Sequence, residues 1–272
     1  MAHLTVLRGY ADRTDPATLP ATIRLCHSDF SVTVFDKYPK SIFHFLLLPL
    51  IRPPYTAQDL RDLRTVLQLP REQAKALLQN MRRDALVAKA LIEEEMLARH
   101  SFKWDIQMGF HAVPSLEHIH LHIMSTDFNG GFIKSKKHLN SFHPKVGFFL
   151  HIDDVLSWFE PDVAPTWFAM KSDIDRHEYE KLLKEDMMCP HCDKAIKTIP
   201  KMKDHLRAAW NDRVKEESNK AARAIAARAM ARSKRKHEEQ EPAETDGDDA
   251  QSHPAKRVET DSSRAVESTQ DS

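Results

Sequence analysis

Residues 118–124 read His118-Ile119-His120-Leu121-His122-Ile123-Met124, and this alternation constrains the chain more than any other segment. Successive side chains of a β-strand point to opposite faces, so the three histidines are expected on one face and Ile119, Leu121 and Ile123 on the other, in a core. Three imidazoles on one face of a buried strand are costly unless they are hydrogen-bonded or used. A single histidine there reads as structural; three in strict alternation do not. Two chemistries fit. Alternating histidines can bind zinc, given a further ligand from elsewhere. Alternatively, one imidazole attacks phosphorus while its neighbours orient it and stabilise the developing oxyanion.

The rest of the chain sets the frame for that strand. Its 272 residues suggest one to two domains plus extras. Lys+Arg and Asp+Glu both number 40, which argues against a uniformly basic nucleic-acid coat but not against a local basic face. Three cysteines cannot build a disulfide framework, so a reducing compartment is favoured. No apolar run approaches the ~18 residues of a membrane span, and the N-terminal segment lacks the apolar stretch of a secretory signal.

Before the histidines, Phe30–Phe35 reads as a strand and Ile42–Leu50 as a buried strand. Ala57–Leu69 reads as a short helix, and Arg71–His100 as a long helix with Ala74, Leu77, Leu78, Met81, Ala85, Ala88, Ile92 and Met96 at helical spacing. Trp104–Phe110 and Glu117–Ser125 read as two further strands. Strands, a long helix, then more strands point to an α+β domain over residues 1–165 with a largely antiparallel sheet. A small unit at 173–215 carries Cys189-Pro190-His191-Cys192 and, after 12 intervening residues, His205. This is the Cys-x2-Cys-x12-His part of a C2H2-like zinc finger, with Lys201–Trp210 as its helix. The expected fourth ligand, one turn beyond His205, is missing, because position 209 is alanine. Asp212, Glu216 or water remain as candidates. Residues 216–272 read as a disordered tail, basic and then acidic: Asn211–His237 holds 9 basic and 3 acidic residues, Glu238–Ser272 holds 11 acidic and 3 basic. The Ala- and Arg-rich part also suits a solvated helix. Its cluster at Arg232–Lys236, and Lys256-Arg257 beyond it, read as nuclear import signals, nucleic-acid contacts or a solvated charge run.

The alternating histidines resemble the histidine-triad superfamily of nucleotide hydrolases and transferases. The Gly109–Ser115 segment, Ile133–Phe142, Asp36–Lys40 and His44–Pro49 narrow the resemblance to its aprataxin branch, from about Asp29 to Trp210. That resemblance implies a DNA 5′-adenylate hydrolase. His120 would attack the AMP phosphorus and become transiently adenylylated. His122 would donate to a non-bridging oxygen, His118 would hold the nucleophile's orientation and tautomer, His111 would stand near the leaving 5′-phosphate, and Ser115 would bond a phosphate oxygen. Asp36 would accept from ribose hydroxyls and Lys40 would face phosphate. Lys134, Lys136, Lys137 and His138 would grip the DNA backbone. His44 reads equally as a structural or a catalytic residue. The implied metal is structural zinc on Cys189, Cys192 and His205, with none in the triad. The implied partners are DNA with adenylated 5′ ends, including RNA–DNA junctions, with AMP as product and no membrane. A monomer in the nucleus is expected. Leu139 stands where the branch commonly carries tryptophan. Only about 28 residues precede the first matching strand, so a form without the branch's N-terminal phosphopeptide-binding domain is expected. The rival readings are a general histidine-triad phosphoramidase or dinucleoside polyphosphate hydrolase, and a DNA-end-binding adaptor with a dead triad.

Overall fold

The computed structural model describes residues 4–238. The acidic segment and Lys256-Arg257 lie outside the described residues.

Six antiparallel strands form one sheet: β1 (Arg24–His27), β2 (Ser31–Phe35), β3 (His44–Pro49), β4 (Ile106–His111), β5 (Leu121–Ser125) and β6 (Phe149–His151). Their order across the sheet is β1-β2-β3-β5-β4-β6, so the histidine-bearing β5 is central, between β3 and β4. Strand alternation then sorts the side chains. Phe45, Leu47, Leu121 and Ile123 face one side and pack into the main core. Helix α3 (Arg71–His100) covers that side with the eight buried residues its periodicity predicts. The helix starts after Pro70 and stops where Ser101 takes a left-handed conformation, φ 65°. Of the predicted helix over Ala57–Leu69, only α2 (Leu63–Leu67) forms. Asp62 and Thr65 make a reciprocal capping box that fixes its start.

The opposite side of the sheet divides in two. Beside β2 and β3, helix α1 (Val6–Ala11) packs Leu7 and Ala11 on Val32, Val34, Leu46 and Leu48. Beside β4 and β5, a second core joins Met124, Phe128, Leu139, Phe142 and Phe149 to Met187, Cys189, Met202 and Leu206. Leu139 is thus wholly buried, filling its position by packing alone. The last four of those core residues belong to the finger. Its short hairpin closes through Cys189 N–H to Lys194 O, 2.9 Å, and Ile196 N–H to Met187 O, 3.0 Å. Helix α4 (Lys136–Asn140) lies between β5 and β6, and α5 (Ile152–Ser157), α6 (Pro165–Ser172) and α7 (Arg176–Leu182) lie between β6 and the finger.

The finger's helix is far longer than its sequence window. Helix α8 spans Ile199–Glu238, so residues 216–238 are helical rather than the disordered tail expected from their charge. An Ala- and Arg-rich composition has high helix propensity, and that outweighs the lack of an apolar face. The chain divides into two compact units, Met1–Arg223 and Ala224–Ser272. The first contains the sheet domain and the finger together, with Trp210 of α8 against Trp104, ring centroids 4.6 Å apart. In the second, residues 224–235 are exposed, Ile225 and Met230 among them. No described helix is long and apolar enough to cross a membrane.

Candidate active site

On the face opposite α3, the sheet opens into a cavity of about 1070 Å³. His111, Ser115, His120, His122, Asp36, Lys40, Lys134, Lys137 and His138 all line it. Nine residues expected at the site from sequence therefore surround one space, although they come from separate segments of the chain. Lys136 and His118 do not.

His118 departs from the expected alternation. Strand β5 begins only at Leu121, and His118 sits before it at φ 82°, a conformation uncommon outside glycine. Its ring turns away, with Nε2 donating to Pro49 O at 2.8 Å. What His118 offers the site is its backbone: His120 Nδ1 donates to the His118 carbonyl, 2.8 Å. The tautomer of His120 is thus set through a main-chain oxygen of His118 and not through its imidazole.

Hydrogen bonding assigns the protons of the remaining rings. Because Nδ1 of neutral His120 carries its hydrogen, Nε2 carries a lone pair. His44 resolves the other half. The Lys40 backbone N–H donates to His44 Nδ1, 3.2 Å, so neutral His44 holds its proton on Nε2. That nitrogen lies 3.0 Å from His122 Nδ1 and 3.5 Å from an Asp36 carboxylate oxygen. His122 Nδ1 accepts, and its proton is therefore on Nε2, which is buried with no protein partner. The two histidines therefore have opposite character at Nε2, an acceptor at position 120 and a buried donor at 122. Their ring centroids are 5.0 Å apart.

Burial keeps these rings uncharged. It pulls His44 and His118 down to about 4 and holds His111 and His122 well below the usual imidazole range. His120 is lowered by burial too, opposed by its bond to the His118 carbonyl and by the Asp36 carboxylate. Phe142 seals the cluster, its ring 4.4 Å from His111, 5.0 Å from His122 and 5.2 Å from His44 between centroids. Close strand packing beside the cluster depends on Gly109. It pairs with both His122 and His151, and a Cβ there would lie 2.6 Å from Leu150 O.

Around the rings stand the polar groups of the rim. Burial lowers the Lys40 ammonium, which donates to Tyr38 O and lies 5.8 Å from the Phe142 ring centre. His138 Nδ1 accepts from Lys134 N–H at 3.1 Å, leaving Nε2 as its donor. Lys136 is committed elsewhere, to Lys184 O at 3.0 Å and Asp186 at 3.4 Å. Asp127, which sequence reasoning passed over, is the buttress behind the site. Its buried carboxylate accepts from Ile42 N–H (2.9 Å), Asn129 N–H (2.8 Å), Trp104 Nε1–H (3.1 Å) and the Ser125 hydroxyl. An Asp two residues after a strand's Ser, near a buried Trp, was the available signal.

Among the described residues, two clusters have metal-donor geometry. Cys189, Cys192 and His205 bring their donor atoms within 4.8 Å of one another. The His191 backbone N–H donates to Cys189 Sγ, 3.4 Å, as in knuckles that stabilise a thiolate. Two thiols and an imidazole suit zinc. Asp36, His44 and His122 meet the same distance criterion, but their 3.0 Å nitrogen–nitrogen contact is that of a hydrogen bond.

Such a sheet, with a neutral imidazole pair of opposite proton character on its open face and a finger packed beside it, defines a histidine-triad protein with an appended zinc-binding finger. Comparison with known proteins agrees. Residues 10–138 match the family described as scavenger mRNA decapping enzyme C-term binding, and residues 145–212 match the C2HE / C2H2 / C2HC zinc-binding finger. Aprataxin of Danio rerio is 35% identical over 179 residues, 66% of this chain and 47% of that protein. The aprataxin-like protein of Schizosaccharomyces pombe is 28% identical over 68% of this chain and 74% of its own length. The solved structure of Hnt3 in complex with DNA and guanosine superposes with a TM-score of 0.57 at 25% identity, covering 77% of this chain and 96% of that one. Over its histidine-triad domain and finger, the chain is a homologue of the aprataxins. It spans about half the length of the first curated relatives it matches, 47% and 51%.

Proposed function

We propose that this protein removes AMP from 5′-adenylated DNA ends through a covalent histidine–AMP intermediate. The observation that carries the reading is the pair of opposite tautomers. The His120 Nε2 lone pair attacks the adenylyl phosphorus, and the bond to the DNA 5′-phosphate oxygen breaks with its electrons. The DNA leaves with an ordinary 5′-phosphate, which needs no proton at neutral pH. Water then attacks the phosphorus of the adduct, its protons going to the AMP phosphate and to solvent, the P–N bond returns its electrons to Nε2, and AMP departs. His122 Nε2–H is a preset donor for the non-bridging oxygen whose charge grows in both steps. Its lack of a protein partner supports that role.

In this reading Asp36 takes the ribose hydroxyls, and Lys40, Ser115 and His111 surround the phosphates. Lys134, Lys137 and His138 meet the DNA backbone, with Lys136 better placed to tie α4 to the segment before the finger. Zinc in the finger is structural: bound by Cys189, Cys192 and His205, it would hold the hairpin to α8. A solved homologue titled as a complex with DNA and guanosine supports a nucleic-acid end bearing a nucleoside. RNA–DNA junctions as further substrates, AMP as product, a nuclear location and a monomeric state belong to the same proposal.

The test compares turnover of an adenylated DNA nick with that of a small AMP phosphoramidate. A strong preference for the nick supports the proposal. Preference for the small conjugate instead makes this a general nucleotide hydrolase.

A further inference from the structure

The finger gathers three ligands where its metal needs four. Cys192 Sγ and His205 Nε2 are 3.3 Å apart, and Cys189 Sγ completes a group within 4.8 Å. Among the described residues, no other thiol, imidazole or carboxylate joins that group. The reason lies on α8. Position 209 follows His205 by four residues and so shares its helix face, but it is alanine, whose methyl has no lone pair. Asp212 is seven residues on, about 10 Å along the axis, too far to share a site with His205. Within the knuckle, Asp193 pairs with Lys145 and the His191 ring packs on Phe128 at 6.1 Å. Cys192 is exposed and His205 half-buried, so solvent reaches the donors.

We propose that the metal of this finger keeps one coordination position for an exogenous monodentate donor, water at rest, and that Ala209 is the residue that leaves it open. Two thiolates offset the charge of a divalent zinc. The open position therefore favours a neutral nitrogen donor of imidazole type over a phosphate oxygen. With a metal held by Cys189, Cys192 and His205, such an exchange would need no redox partner: water would leave with its lone pair and the entering nitrogen would donate its own.

Cobalt(II) in place of zinc makes the position visible, because its d–d bands report the donor set. The full chain loaded with one equivalent of cobalt is titrated with imidazole, with dialysis to check that the metal stays bound. The wild-type spectrum shifts saturably while cobalt is retained. Ala209→His places an imidazole on the same helix face; its spectrum resembles that of the imidazole-bound wild type and does not respond to added imidazole. The same substitution tightens zinc by at least about tenfold in chelator competition. A wild-type spectrum that does not move, or moves only as cobalt leaves, overturns the proposal. So does a wild-type chain that fails to hold one equivalent.

Discussion

His44 Nε2 lies 3.0 Å from His122 Nδ1, and this contact decides which nitrogen of His122 carries the proton. His44 is itself set by the Lys40 backbone N–H at its Nδ1. The relay carries tautomer information from a main-chain amide through a buried ring to His122 Nε2, without any of these groups changing charge. Replacing His44 by phenylalanine keeps the ring and removes the donor. We expect kcat on adenylated DNA to fall on the order of a hundredfold with KM little changed. His44→Gln, which restores an N–H, recovers part of the loss. Equal effects of both variants on kcat would assign His44 to packing alone.

The buried imidazoles also predict an acid limit to stability. His44 and His118 sit at about 4 in the folded protein because burial disfavours their charged forms. In the unfolded chain they titrate near 6.5. Above that value both states hold them neutral and nothing is lost. As pH falls from 6.5 toward 4, the unfolded state binds more protons and stability declines; below about 4 this contribution levels off. The melting temperature should be flat above pH 7 and drop through this window. His118→Gln should flatten the drop if the variant folds with the Pro49 contact kept.

Asp127 ties β5 to β3 and to Trp104 through four accepted hydrogen bonds. Asp127→Ala leaves buried donors unpaired and should cost about 3 kcal/mol or more in denaturant unfolding. Asp127→Asn, which keeps one acceptor oxygen, should cost less. A loss under ~1 kcal/mol for the alanine variant would contradict the buttress role.

The legible parts of this chain were those where local pattern and tertiary packing agree. Helix α3 was predicted at its observed bounds because one apolar face meets one sheet face. The site residues were legible as motifs, and the cavity gathers most of them. His118 was not, since alternation assumes extended backbone and the chain instead turns left-handed at His118, before β5 begins. The finger's union with the second core was hidden as well: Cys189, Met202 and Leu206 join Met124 and Phe149 there, a long-range packing with no local signature. Residues 216–238 admitted two readings, a charged tail and a solvated helix, and the helix is what forms, because Ala and Arg favour it even without an apolar face.

Adjacent lysines in α4 should behave differently. Lys137 faces the cavity, whereas Lys136 pairs with Asp186 and Lys184 O. Removing one lysine–phosphate pairing lowers the slope of log affinity against log salt by about 1. Lys137→Ala should show that decrease on nicked DNA, and Lys136→Ala should leave the slope unchanged. The reverse order would contradict the placement of α4 against the substrate.

The most direct measurement is a rapid acid-free quench of the enzyme with adenylated DNA, followed by peptide mass spectrometry. The account predicts AMP joined through a phosphorus–nitrogen bond to the peptide containing His120, and no adduct or turnover in His120→Ala, which still binds nicked DNA. An AMP adduct on another residue, or full turnover by His120→Ala, would contradict it.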